Sequence, residues 1–242
     1  MNVVVITPAT GARELLACAR SVQAQTHRRL RHLVVVDGPK FAAPARRVLR
    51  AVRPRRVPVD VLQLPQNTGA GGLMGHRIYA AVPHLVNEDL VLFLDEDNWY
   101  DPDHVAALVA AVRRGKLQWA FSLRKIVDRR GALIARDDCE SLGRWPIWWS
   151  NERAPQYLVD TSCFAVRREV LVRVCSAWHQ PRGADRVVTH LLRDSFPRFG
   201  GSGRYSLNYR LGGGPDSAVP SFFLEGNARM AKRYPRGFPW AR

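Results

Sequence analysis

The chain has 242 residues, enough for one large α/β domain. Hydrophobic residues make up 46% of it, which supplies a core and excludes a disordered chain. Its formal net charge of +16 points to anionic partners, whether phosphorylated substrates, acidic lipid surfaces or nucleic acid.

The charge is uneven. The first sixty residues carry twelve Lys and Arg against three acids, and Lys40 to Arg56 alone holds seven basic residues. The tail after Glu225 has five basic residues and no acid. The four cysteines, Cys18, Cys139, Cys163 and Cys175, form no CxxC pair, so buried free thiols are expected in place of a zinc framework. Met1 to Thr7 has neither a basic segment nor a following apolar region of signal-peptide length, and no apolar run approaches the ~18 residues of a membrane span. The expected location is cytoplasmic, either in the cytosol or peripheral on the inner membrane face.

In chain order, Val3 to Ile6 is an apolar β-branched run that predicts a buried strand, broken at Thr7 to Gly11. Leu15, Leu16, Ala19 and Val22 fall at helical spacing within Ala12 to Gln25. Leu33 to Val36 predicts a second strand, ended by the turn signal Asp37-Gly38-Pro39. Val59 to Leu64 predicts a third strand and Leu90 to Leu94 a fourth, central one. Asp101 and Pro102 read as the N-cap and first position of a helix striped by Val105, Leu108, Val109 and Val112. Strands at Trp119 to Val127 and Tyr157 to Val166 follow, with helices at Arg168 to Val174 and Arg186 to Leu192. Trp145, Trp148 and Trp149 read either as core packing or as a platform for a sugar ring. From Gly226 the chain reads as a poorly ordered basic, aromatic tail.

Alternating strands and helices predict a mostly parallel sheet with helices on both faces, and ligands bind such sheets beyond the carboxyl ends of the strands. That edge holds Thr7 to Thr10, Asp37, Asn67 to Gly72 and Asp95 to Asn98. Residues 88 to 103 contain seven of the 21 acids. Alternation along an extended chain lets Asp95 and Asp97 face one site. Two adjacent carboxylates repel, and a hard cation such as Mg²⁺ or Mn²⁺ compensates them, completing its shell with waters and phosphate oxygens.

Four separated segments resemble one family. Val3–Gly11 (VVVITPATG), Leu33–Pro39 (LVVVDGP), Asn67–Arg77 (NTGAGGLMGHR) and Leu90–Val105 (LVLFLDEDNWYDPDHV) are similar, in order and spacing, to family 2 glycosyltransferases of the GT-A fold. Weaker matches are Gly183–Leu192 (GADRVVTHLL) and Leu207–Gly213 (LNYRLGG). The resemblance implies a metal-dependent, inverting transfer from a nucleotide-diphospho-sugar to a glycan, lipid-linked or other acceptor. It implies Thr7 and Pro8 around the nucleoside, Asp37 on the base or ribose, and Asn67, Gly69 and Arg77 beside the nucleotide. Asp95 matches the first acid of the D-x-D motif, near ribose and metal, Asp97 the metal ligand, and Asp185 the catalytic base, with Asp160 as the rival acid. Many relatives carry two acids and a serine after the second strand, where this chain has only Asp37-Gly38-Pro39. The expected organisation is one GT-A domain over residues 1–225 and a tail over 226–242. Within it, residues 1–115 form the nucleotide-sugar half and 116–225 the acceptor half.

Other readings fit less well. The segment Gly69 to Gly75 has Met74 where a dinucleotide fingerprint needs glycine, and it follows the third strand instead of the first. No Walker-type loop and no G-x-S-x-G occurs. A nucleotidyltransferase of similar architecture would need a glycine-rich basic loop after the first strand, where Thr7 to Arg13 offers one glycine and one arginine. A basic nucleic-acid-binding protein accounts for the charge, but no binding motif supports it.

Overall fold

The computed structural model describes residues 1–53, 56–212 and 218–241. Arg55 of the basic stretch, Gly213 at the end of the LNYRLGG segment and Arg242 of the tail lie outside the described residues. The elements run β1 (Val3–Ala9), α1 (Leu15–Gln23), β2 (Leu30–Val36), α2 (Ala42–Arg50), β3 (Val59–Gln63), α3 (His76–Ala81), β4 (Leu90–Phe93), β5 (Trp99–Tyr100) and α4 (His104–Arg114). They continue with β6 (Trp119–Val127), β7 (Leu133–Arg136), β8 (Phe164–Arg167), α5 (Arg168–Leu171), α6 (Ala184–Ser195), β9 (Phe199–Arg210) and α7 (Pro220–Arg233).

One sheet runs through the molecule in the order β3-β2-β1-β4-β8-β6-β9-β5, with β7 paired to β6. The β3, β2, β1 and β4 strands are parallel, and so is the β6–β9 pair, which places most paired residues in parallel register. The remaining pairs are antiparallel. This is the expected α/β architecture. The valine-rich runs of β1 and β2 are buried because helices cover them; α1 contributes Leu15, Cys18, Ala19 and Val22 to that core. All four cysteines are free and buried, as expected. Among the described residues no helix is long and apolar enough to cross a membrane.

Two register features build the site. The β4 strand has parallel β1 on one side and antiparallel β8 on the other, so the carboxyl end of β4 meets the amino end of β8. That juxtaposition sets Asp95 beside the Asp160–Cys163 turn. On the far side, Trp99 of β5 pairs with Asn208 of β9 in antiparallel register, which brings Arg210 opposite Asp97.

Several expectations need correction. The β1 strand does not break at Thr7; it continues through Ala9, with Thr7, Pro8 and Ala9 paired to Val34, Val35 and Val36. Asp101 does not cap the following helix, because Lys125 Nζ lies 2.9 and 2.7 Å from its two oxygens and Asn208 donates at 2.9 Å. The α4 helix begins at His104, after Asp103. Of the predicted Tyr157–Val166 strand only the end is strand, since Asp160 caps a 3-10 turn by accepting from Ser162 N at 2.9 Å. Asp185 is the second residue of α6 and not its cap; Gly183, at φ 66°, precedes the helix.

The tail is ordered where it is described. The α7 helix runs across the expected boundary at residue 225, and Gly226 packs so closely on Cys139 and Trp148 that an added Cβ would lie 2.7 Å from Cys139 Sγ. Trp240 is 3% exposed, stacks on Phe238 at 4.8 Å and donates to Asp138 Oδ1 at 2.8 Å. The tail's aromatics override its basic composition by burying their rings. Trp240→Ala is therefore expected to lower stability by roughly 3 kcal/mol. Denaturant unfolding checks this, and an unchanged midpoint would mean that the tail is not part of the folded core.

Candidate active site

The D-E-D segment after β4 divides its three carboxylates by partner. Asp95 is held on both oxygens: Tyr79 OH donates to Oδ1, and Ser162 Oγ donates to Oδ2 at 3.0 Å. Its own N–H donates to Ser162 Oγ at 3.1 Å. Tyr79 is placed by packing against Phe93 and Trp178, with ring centroids at 4.7 and 6.2 Å. Glu96 turns the other way. Its Oε1 accepts from Thr10 N at 2.9 Å and from the Thr10 hydroxyl, and its Oε2 accepts from Gly11 N at 3.0 Å and Ala12 N at 3.3 Å. Four donors fill the roughly four lone-pair directions of a carboxylate. Glu96 is therefore a clamp between the first loop and the D-x-D loop. The sequence carries no signal for this pairing across 86 residues.

Asp97 differs from both. No described side chain bonds its carboxylate. The loop around it is fixed through the main chain, with Arg210 Nε donating to Asp97 O at 3.0 Å and Arg210 N to Asn98 Oδ1 at 3.0 Å. Burial, and then the Asp95 charge, push the Asp97 carboxyl up to about 7. Burial is also the main cause that raises Asp95, and the charge of Asp185 adds to it, so Asp185 lies within electrostatic reach of the D-x-D motif. One free carboxylate beside a second, hydrogen-bonded one fits a hard divalent cation that completes its shell with water and phosphate oxygens. Asp97, with Asp95 beside it, would hold that cation, which would supply positive charge against a diphosphate.

The residues expected around the donor are brought to the same edge. Pairing of Val36 with Gln63 carries the chain after β3 back onto Asp37. Asp37 Oδ1 accepts from Thr68 N and Thr68 Oγ1, both at 2.7 Å, and Oδ2 from Gly69 N at 2.8 Å. Asn67 Oδ1 shares the Gly69 N–H at 3.0 Å. Glycine is required at 69, since a Cβ there would lie 2.4 Å from Met74 O. Pro8 packs under the far end of this loop, where a Cβ on Gly75 would lie 2.8 Å from Pro8 Cγ. Arg77 donates to Thr68 O at 3.4 Å and to His179 Nε2 at 3.3 Å. Thr7 is the exception. It is fully buried, with its hydroxyl 3.0 Å from His32 Nε2, so its side chain belongs to the core.

In the half expected to take the acceptor, Asp185 is half-buried and accepts from Arg186 N at 2.8 Å. Burial, followed by the charge of Asp160, raises its carboxyl above the usual range. Asp160 is committed elsewhere: Arg124 Nη1 donates to it at 2.6 Å. Arg124 is buried in β6 and also binds Asp137 at 2.7 Å and Glu140 at 2.6 Å. This charged network was missed in the sequence, although a lone arginine inside the apolar run Trp119–Val127 is its signal. Trp145 and Trp148 pack against Trp240 and Phe222, with centroids at 5.6 and 5.5 Å. Trp149 stays 43% exposed, with the Arg186 guanidinium 5.1 Å from its ring centre. His190 packs on Tyr157 at 5.7 Å, which gives it a structural role.

The raised Asp97 carboxyl has a stability consequence. Its folded value of about 7 lies above that of an unfolded aspartate. The folded state therefore binds the proton more tightly, and this contribution is lost as pH rises toward and through 7. In metal-free buffer, Asp97→Asn is expected to melt above the wild type at about pH 8, with the gap narrowing toward about pH 5. Thermal melts across that range check it; a wild type that melts higher at about pH 8 would contradict the electrostatic reading.

Comparison with known proteins bears on the fold and the family. No protein with a curated description matches the sequence. Among solved structures, S. aureus TarS 1-349 in complex with UDP-GlcNAc superposes with a TM-score of 0.64 at 16% identity, over 96% of this chain and 66% of that one. Mannosyltransferase PcManGT from Pyrobaculum calidifontis, in complex with GDP-Man and Mn²⁺, gives 0.61 at 15% identity, over 99% of this chain and 72% of that one. Against longer TarS the TM-score is 0.61 at 13% identity; the match takes in all of this chain but only 44% of TarS. These likenesses establish the GT-A fold. The profile of glycosyl transferase family 2 matches residues 3–174, well over half of the sequence, and the chain belongs to that family.

Proposed function

We propose that this chain is a metal-dependent glycosyltransferase that moves a sugar from a nucleotide-diphospho-sugar to an acceptor, with inversion at the anomeric carbon. The observation that carries the reading is Asp97. It is the one carboxylate of the D-E-D segment that no described side chain bonds, and it sits at the carboxyl edge of the sheet within the field of Asp95. UDP-GlcNAc and GDP-Man are bound by proteins of the same fold, one of them with Mn²⁺, and this supports the donor class.

Each residue then has a task. Asp37 holds the Thr68–Gly69 turn and keeps one acceptor direction for the nucleoside. Pro8, Asn67 and Gly69 line the nucleoside side, and Arg77 flanks the diphosphate. Asp95, oriented by Tyr79 and Ser162, faces the ribose, and Asp97 holds Mn²⁺ or Mg²⁺. The bound cation would neutralise the charge that builds on the leaving diphosphate. Asp185 takes the proton of the acceptor hydroxyl as that oxygen attacks the face opposite the leaving group. Its raised pKa brings it closer to the working range of a general base. Asp160 is the poorer base because its oxygens are already engaged, Oδ2 accepting from Arg124 Nη1 at 2.6 Å and Oδ1 from Ser162 N at 2.9 Å.

A nucleotidyltransferase would use the loop after β1 as a phosphate cradle. Here the N–H groups of Thr10, Gly11 and Ala12 all donate to Glu96, so they are not available to a phosphate. The acceptor is a glycan, a lipid-linked sugar or another hydroxyl compound. Its site falls among the α6 N-terminus, Trp149 and Arg186.

Two variants test the assignment. Asp97→Ala should abolish the Mn²⁺-dependent part of nucleoside diphosphate binding by calorimetry; equal affinity with and without Mn²⁺ in wild type and variant would remove Asp97 from the metal role. Asp185→Asn should bind donor normally, melt near the wild type and lose roughly 10²–10⁴-fold in turnover of a nucleotide-sugar. Full turnover by the folded variant would leave Asp185 as a structural residue of α6.

A further inference from the structure

A second concave surface lies against the outer side of the D-x-D loop. It is a cleft of about 280 Å³ lined by Arg13, Glu14, Leu16, Ala17 and Arg20 of α1 and the turn before it, with Arg129 and Arg210 opposite. Four guanidinium groups thus meet one carboxylate. Arg13 donates to Glu14 Oε1 at 2.8 Å, which accounts for that acid. Arg210 is stacked over Trp99, 4.9 Å from the ring centre, and its Nε and Nη1 bind Asp97 O and Arg129 O. The Arg20 and Arg129 side chains have no bonded partner among the described residues. Two of the four fork-shaped donors thus have no acceptor among the described residues.

We propose that this cleft binds a phosphate-type oxyanion, distinct from the donor diphosphate held at Asp97. Arginine forks match the geometry of phosphate oxygens, and charge-assisted bonds of this kind are the strong class. The cleft is tied to the D-x-D loop at two places. Arg210 grips the main chain of Asp97, and Arg13 follows directly on the Thr10–Ala12 loop that Glu96 clamps. An oxyanion here therefore ties the start of α1 to the D-x-D loop through the guanidinium groups on either side. A second cleft, lined by Ala43, Arg46, Arg47, Arg50 and Ala51, is also basic, but its arginines lie on α2 and bond nothing in the D-x-D loop. It supplies the control.

The test is calorimetric titration of inorganic pyrophosphate into the full chain with chelator present and at ~0.15 M salt, where diffuse surface charge is largely screened. Wild type is compared with Arg20→Ala, Arg129→Ala and Arg47→Ala, all changes at exposed side chains, with melts to confirm folding. The expected result is saturable binding that weakens about tenfold in Arg20→Ala and Arg129→Ala and is unchanged in Arg47→Ala. Equal weakening in all three variants, or no saturable binding, would overturn the proposal and leave a uniformly basic surface. The source of the oxyanion is read in a second arm with phosphatidylcholine vesicles containing phosphatidylglycerol. Vesicle binding that needs Arg20 and is displaced by pyrophosphate assigns the cleft to a lipid headgroup. Pyrophosphate binding without Arg20-dependent vesicle binding assigns it to a soluble phosphate. Because no donor enters the titration, its failure leaves the transferase reading untouched.

Discussion

Three consecutive acids at the end of a buried strand pose one electrostatic problem, and its solution organises the site. A carboxylate moved away from water needs donors or a cation to replace its hydration. Asp95 has a tyrosine and a serine hydroxyl, and Glu96 has three main-chain N–H groups and a threonine hydroxyl. No described side chain bonds Asp97, and burial followed by the Asp95 charge raises its carboxyl to about 7. The unmet requirement at Asp97 is what a divalent cation with water and phosphate ligands satisfies.

The sheet topology makes this division possible. A purely parallel sheet would set another crossover helix beside β4. Antiparallel β8 instead delivers the Asp160–Cys163 turn, and with it Ser162, to the carboxyl end of β4. The pairing of β5 with β9 delivers Arg210 to the other side of the same loop. Behind these contacts the single positive charge of Arg124 is shared among Asp137, Glu140 and Asp160 in the interior. Removing that arginine would leave three acids under the acceptor half without their counter-charge, a costly arrangement.

The elements of the first 115 residues were legible in the sequence because their signals are local. Apolar β-branched runs followed by Asp37, the Asn67–Gly69 segment and the D-E-D triplet mark strand ends, and strand ends of an α/β sheet mark the ligand edge. The distinct roles of Asp95, Glu96 and Asp97 were not legible, because they depend on partners at positions 10, 79 and 162 that only the fold brings near. Thr7 was misplaced for a related reason. Pro8 reads as a strand breaker, yet β1 pairs through to Ala9, and Thr7 turns inward to His32. The tail was misread from composition. Its rings pack on Trp145 and on Asp138, residues whose proximity no local pattern reveals.

The central claim is that the carboxylate of Asp97, which no described side chain bonds, anchors the donor through a cation with Asp95 beside it, and that Glu96 does not. A crystal structure of the protein soaked with a nucleoside diphosphate and Mn²⁺ tests it most directly, since anomalous scattering locates the manganese. The account predicts Mn²⁺ within bonding distance of an Asp97 oxygen and of the diphosphate, with Glu96 still bound to Thr10, Gly11 and Ala12. Manganese coordinated by Glu96, or a nucleotide bound away from the Asp37–Asp97 edge, would contradict it.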